Sequence, residues 1–140
     1  MARCLGMRLT RTHVVVVWLG CAGPLSAQQQ ISPDAFLDLA LGQTLTFSDY
    51  GTGLTVGVEQ FLRRDLSVWA QQNGQCSYGE IEIRGPLVCF IYENFPNPDN
   101  CWMPFQVDGD VLVMSAENRQ IQRVTGVSKE PVVCEGVPLS

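Results

Sequence analysis

From residue 44 to residue 127 the chain is cut into short runs by residues that reverse a backbone, and this punctuation constrains the fold more than any other feature. Asn73-Gly74, Arg84-Gly85-Pro86, Asp108-Gly109 and Glu117-Asn118 supply the left-handed or fixed φ angles that tight turns need. Between the turns, Leu66, Val68 and Ala70 alternate with Ser67, Trp69 and Gln71, and Ile81 and Ile83 alternate with Glu80, Glu82 and Arg84. A period of two is that of a strand with one buried face. Strands are therefore expected at about 44–48, 54–62, 65–71, 76–84, 87–93, 101–107, 111–116 and 120–127. Eight strands joined by close turns make an antiparallel meander. A twisted sheet of that size removes its exposed edges by closing, so the expected fold is mainly β: a small antiparallel eight-stranded barrel.

One helix precedes the strands. Ser32-Pro33-Asp34 opens it with a capping hydroxyl, a proline suited to the first turn and an acid at the positive end, and Gly42 permits the left-handed exit. Phe36, Leu37, Ala40 and Leu41 give it one apolar face, which must pack on the barrel. The run Leu87-Val88-Cys89-Phe90-Ile91-Tyr92 is apolar on both faces, so one face needs a cover. The helix over 33–41 is the expected cover, in contact with Phe90 or Tyr92.

Residues 1–27 read as a secretory signal peptide. Arg3, Arg8 and Arg11 precede an apolar run from Val14 to Gly23, and the small residues Ser26 and Ala27 precede Gln28. The run is well short of the roughly 20 residues a membrane-spanning helix needs. Cleavage before Cys21 with lipid attachment is the rival, and Trp18-Leu19-Gly20 is a poor lead-in for it. Removal of 27 of 140 residues leaves 113, one domain over 28–140, expected in a periplasmic or secreted setting. That domain keeps 6 of the 9 basic residues against all 14 acids, so the formal charge moves from −5 to −8. Such a surface repels phosphate backbones, which argues against a nucleic-acid partner.

The mature domain would carry Cys76, Cys89, Cys101 and Cys134. Four cysteines in a small exported domain read as two disulfides. Spacings of 13, 12 and 33 residues contain no zinc knuckle. Folding the chain back about Phe95 sets Cys89 opposite Cys101, which leaves Cys76 for Cys134; Cys76–Cys89 with Cys101–Cys134 is the other pairing. The single histidine, His13, lies in the signal segment. The domain then lacks the usual base of hydrolytic triads and the commonest metal ligand, and no metal or cofactor is expected.

Glu80 and Glu82 share one strand face and are candidates for carboxylate chemistry on sugars, against a plain solvated face. Asp108-Gly109-Asp110 lacks the repeated acids of a calcium loop and reads as a turn. Arg63-Arg64 is a basic pair able to receive a carboxylate, against a strand-connecting turn. Trp69, Tyr78, Tyr92, Phe95 and Trp102 offer large rigid surfaces with polar tips and are candidates for ligand or partner contact at a barrel mouth, against core filling. Trp102, on the face opposite Cys101, Met103 and Phe105, is expected to point outward.

Leu41-Gly42-Gln43-Thr44, Gly57-Val58-Glu59-Gln60-Phe61, Ser67-Val68-Trp69, Gly74-Gln75-Cys76, Val88-Cys89-Phe90-Ile91-Tyr92 and Cys101-Trp102 together resemble small exported bacterial proteins of unknown function that look like compact lipocalin-like barrels. The Gly-x-Trp signature that opens true lipocalins is absent, with Thr44-Leu45-Thr46-Phe47 in its place, so the resemblance implies the fold and not ligand transport. A closed barrel with aromatic rims and a proline-stiffened loop is a recognition scaffold, so the expected function is an envelope protein that binds a small apolar ligand or another envelope protein without catalysis. The alternatives are a structural or stress-tolerance component and a carboxylate-dependent hydrolase. An interior space of roughly 300 Å³ or more would mark a carrier, and a filled barrel with a projecting loop at 94–100 would mark a protein-binding module.

Overall fold

The computed structural model describes residues 27–135; residues 1–26, which hold most of the expected signal peptide with His13 and Cys21, and residues 136–140 lie outside the described residues. The elements in chain order are β1 (Gln29–Gln30), α1 (Pro33–Ala40), β2 (Thr44–Asp49), β3 (Thr55–Arg63), β4 (Leu66–Gln71), β5 (Cys76–Arg84), β6 (Leu87–Tyr92), β7 (Cys101–Val107), β8 (Asp110–Ser115) and β9 (Ile121–Ser128). Strands β2 to β9 pair antiparallel with their sequence neighbours, and β9 returns to β2, so the meander closes as an eight-stranded barrel. Each expected strand is present, to within two residues at its ends. The strands bend around the barrel at bulges. Register shifts fall between Thr46 and Phe47 against β9, between Phe47 and Ser48 against β3, and between Phe61 and Arg63 against β4.

The short strand β1 was not expected. Two glutamines carry no pattern, and a proline makes room for them. Pro104 has no N–H to give, and β6 pairs with β7 only at Val88–Trp102 and Cys89–Cys101. Beyond that point β1 enters the seam, pairing Gln29 with Gln106 and Gln30 with Phe105, and the Ile31 amide donates to the Pro104 carbonyl at 3.1 Å.

This path delivers α1 to one end of the barrel. Ser32 Oγ accepts from the Ala35 amide, Pro33 occupies the first turn, and Gly42 leaves the helix at φ 72°. The exit is then bonded to β3, with the Gly42 amide donating to the Phe61 carbonyl and the Phe61 amide to the Gln43 carbonyl. Phe36, Leu37 and Ala40 are buried, while Leu41, expected on the same face, is largely exposed because the chain turns away at the cap. The helix closes the barrel end with Phe36, Leu37 and Ala40 in the interior core, which corrects the expectation that it would cover the outer face of β6. It is linked to Phe90 through Phe61, which stands edge-on to both Phe36 and Phe90 inside the barrel. The outer face of β6 holds Cys89, covered by its disulfide to Cys101.

The second disulfide, Cys76–Cys134, draws the segment after β9 back across the outside of the barrel. Val132 donates its amide to Gln60 Oε1, Thr44 Oγ1 donates to the Glu130 carbonyl, and the Glu135 amide donates to the Gly74 carbonyl. Val68 and Ala70, which point outward from β4, are buried.

Candidate ligand cavity

The reversals at 50–54, 72–75, 93–100 and 116–120 gather at the end of the barrel opposite α1. Below them the interior holds a cavity of about 190 Å³. Phe36 forms its floor and Phe47, Trp69, Val88, Phe90 and Trp102 its walls. Its polar lining is limited to Glu59, Tyr92, Asn100 and Gln122.

Two glycines give the walls their shape. A Cβ on Gly57 would lie 2.3 Å from Trp69 Cζ2, and one on Gly79 would lie 2.7 Å from Tyr92 Cε1, so both rings lie flat against neighbouring strands. Tyr92 also stacks on Phe90, with ring centroids 6.1 Å apart.

Glu59 sits on the inward face of β3 between Gly57 and Phe61, with Leu45 and Trp69 as its cross-strand neighbours. It is 2 % exposed. The Tyr92 hydroxyl donates to Glu59 Oε2 at 2.7 Å, and Oε1 has no protein partner among the described residues. The buried Ser67 hydroxyl faces the same carboxyl without making a bond of good geometry to any group. Burial, opposed by the Ser67 and Tyr92 hydroxyls, pushes Glu59 up to about 7. Burial and the neighbouring Glu59 charge hold Tyr92 well above the usual phenol range, so it remains a donor.

The mouth is built by the loop after β6. Phe95 lies against Tyr92 at 4.9 Å between centroids and is 41 % exposed. Asn100 accepts from Trp102 Nε1 at 2.9 Å and donates its side-chain amide to the Phe90 carbonyl. Arg84 bonds the Pro98 carbonyl. These contacts tie the loop to the barrel rim.

No protein-family model, curated protein or solved structure matches this chain.

Of the aromatic residues singled out from sequence, Trp69, Tyr92, Phe95 and Trp102 meet at this cavity. Trp102 corrects the expected orientation: Cys101 turns outward to pair with Cys89, which turns its neighbour inward. Tyr78 does not join them, being 52 % exposed on the outer face of β5. Glu80 and Glu82 are on that same outer face, and Glu82 is paired with Arg84. Arg63 and Arg64 lie at the opposite end, where Arg63 pairs with Asp65 and Arg64 with Asp34 and Asp38 of the helix. Asp108-Gly109 is a turn with φ of 50° and 87°. No cluster of three or more His, Cys, Asp or Glu side chains able to hold a metal occurs among the described residues.

Sequence reasoning missed Glu59. Its strand has Val56 and Val58 on one face and Phe61 on the other, so alternation alone did not say which face was inside. Among the described residues the cavity holds a single carboxyl, whereas sugar hydrolysis by paired carboxylates needs a second one across the scissile bond. A second hollow of about 430 Å³ lies outside the barrel, between Val58, Ala70 and the crossing segment at Pro131 and Val132. It contains no buried unpartnered polar group among the described residues.

Proposed function

We propose that this is an exported, non-catalytic binding protein that holds a compact small molecule inside its barrel. The observation that carries the reading is the aromatic cavity of about 190 Å³ with a buried carboxyl in its wall. The space is below the roughly 300 Å³ of sites for drug-sized ligands, and above the ~150 Å³ of an engineered cavity that takes up benzene. It suits one ring with a short substituent. The unfilled interior and the tethered loop at 93–100 favour the cavity reading over a protein-binding module, which calls for a filled barrel. Export is supported by the basic and apolar segment before Ala27 and by two disulfides, which an oxidising compartment favours. A bacterial envelope is the setting implied by the resemblance.

Native mass spectrometry of the protein recovered from the medium or envelope of its own source tests both parts. The expected result is a chain that begins near Gln28 and carries a small adduct lost on denaturation. A chain that keeps residues 1–27 overturns export. A chain without an adduct that also takes up neither toluene nor benzyl alcohol overturns the cavity reading.

A further inference from the structure

We propose that the ligand is a small organic cation, a protonated amine whose ammonium group donates to Glu59 Oε1 while its hydrocarbon part packs against Phe36, Phe90 and Trp102. The inference rests on the cavity reading and adds the chemical class of its occupant.

Glu59 lines the cavity with one carboxylate oxygen satisfied by Tyr92 and the other buried without a hydrogen-bond partner among the described residues, the Ser67 hydroxyl beside the carboxyl making no bond of good geometry. A buried polar atom left unpaired is costly, and a carboxylate more so, unless a donor meets it. Among the described residues no Lys or Arg side chain contributes to the cavity wall to neutralise this group. The rest of the wall selects in the same direction. Phe47, Trp69, Phe90, Tyr92 and Trp102 present aromatic rings, whose faces are electronegative and attract a desolvated cation. An anionic ligand would meet the Glu59 carboxylate with no countercharge, and a hydrocarbon would leave Oε1 unpaired. An excess of 14 acidic over 9 basic residues favours the approach of cations over the whole surface.

A neutral ligand with an acceptor atom is the competing occupant, since a protonated Glu59 can donate to it. The two differ in sign with pH. The groups around Glu59 are Leu45 on β2, Ser67 and Trp69 on β4, Tyr92 on β6 and Phe36 on α1; Tyr92 is the one titratable member and stays protonated. Cation binding requires the carboxylate and strengthens as pH rises through about 7, whereas acceptor binding weakens over the same range.

Calorimetric titration of the disulfide-intact protein with benzylamine, and with benzyl alcohol as its neutral counterpart of the same shape, tests this at pH 6 and pH 8. The expected result is benzylamine binding about ten-fold tighter at pH 8 than at pH 6, with protons released at pH 6. Glu59→Gln should lose most of the benzylamine affinity and its pH dependence while retaining benzyl alcohol. Benzyl alcohol binding with benzylamine no tighter at pH 8 overturns the cation and leaves the cavity reading standing. Binding of neither compound overturns both. Because the wild-type pH profile decides between the two occupants, the test does not depend on the variant folding.

Discussion

The Tyr92 hydroxyl donates to Glu59 Oε2 at 2.7 Å across the inside of the barrel, from the end of β6 to the middle of β3. This contact holds a carboxyl in a space otherwise lined mostly by rings and aliphatic groups. A structure built only for stability has no need of it, since an apolar side chain of similar volume would avoid the desolvation.

That cost sets the pH dependence of folding. Glu59 rises from 4.5 to about 7 on folding, so between those values the native state holds a proton that the unfolded chain has released. The contribution of this group is fully present below about 4.5 and is lost as pH rises through about 7. The loss amounts to about 3 kcal/mol. Glu59→Gln should match wild type at pH 4.5 and exceed its stability at pH 8 by up to that amount, as read from urea midpoints. A variant less stable than wild type at pH 8 would show that Glu59 supports the fold as a carboxylate.

The two glycines should respond differently to alanine. At Gly57 the new methyl group meets the Trp69 ring, which has empty cavity beside it and can swing inward. Gly57→Ala should therefore fill the cavity and abolish ligand uptake at a cost near the lower end of the 1–3 kcal/mol typical of overpacking, about 1 kcal/mol. At Gly79 the methyl meets Tyr92, which is held by Glu59 and stacked on Phe90. The cost there should approach about 3 kcal/mol. Denaturant titration of both variants checks the order, and equal costs would mean that Trp69 is as firmly held as Tyr92.

How much of this was legible depended on how local each signal was. Turn residues and two-residue alternation are local, and they located β2 to β9. The pairing of Cys89 with Cys101 was also legible, because a short reversal sets the two opposite each other. The orientation of Trp102 followed from that pair but needed knowledge of which face it occupied. Glu59 lay deeper still: only closure of the barrel makes the face shared with Gly57 and Phe61 the inner one. The role of Arg64 was hidden for a related reason, as its partners Asp34 and Asp38 lie about 30 residues earlier and meet it only after the helix docks.

Arg64 is tied to the helix by Asp34 and Asp38, at the barrel end away from the cavity mouth. Its ion pairs with Asp34 and Asp38 are exposed, so they are screened by salt and weak. Arg64→Ala should shift the urea midpoint slightly at low ionic strength and leave it unchanged at high ionic strength. Benzyl alcohol affinity should be unaffected, because the residue is at the opposite end from the mouth. A loss of affinity would mean that the helix, and Phe36 with it, depends on this pair to shape the cavity floor.

The two disulfides close loops of different length and should differ in what they stabilise. Cys76–Cys134 spans 58 residues and Cys89–Cys101 spans 12. Loop-closure entropy gives about 4 kcal/mol for the longer and about 3 kcal/mol for the shorter. The longer also fastens the segment that crosses the outer face of β4, so removing it should speed amide exchange after Ser128 and expose Val68 and Ala70. The shorter fixes the seam beside the mouth, next to Asn100 and Trp102. Replacing Cys89 and Cys101 together by serine should loosen the loop at 93–100 and raise ligand dissociation rates. Replacing Cys76 and Cys134 should cost more stability while changing those rates little. Hydrogen exchange and stopped-flow release of a bound aromatic amine distinguish the two, and the reverse pattern would mean that the cavity is gated from the side of the crossing segment.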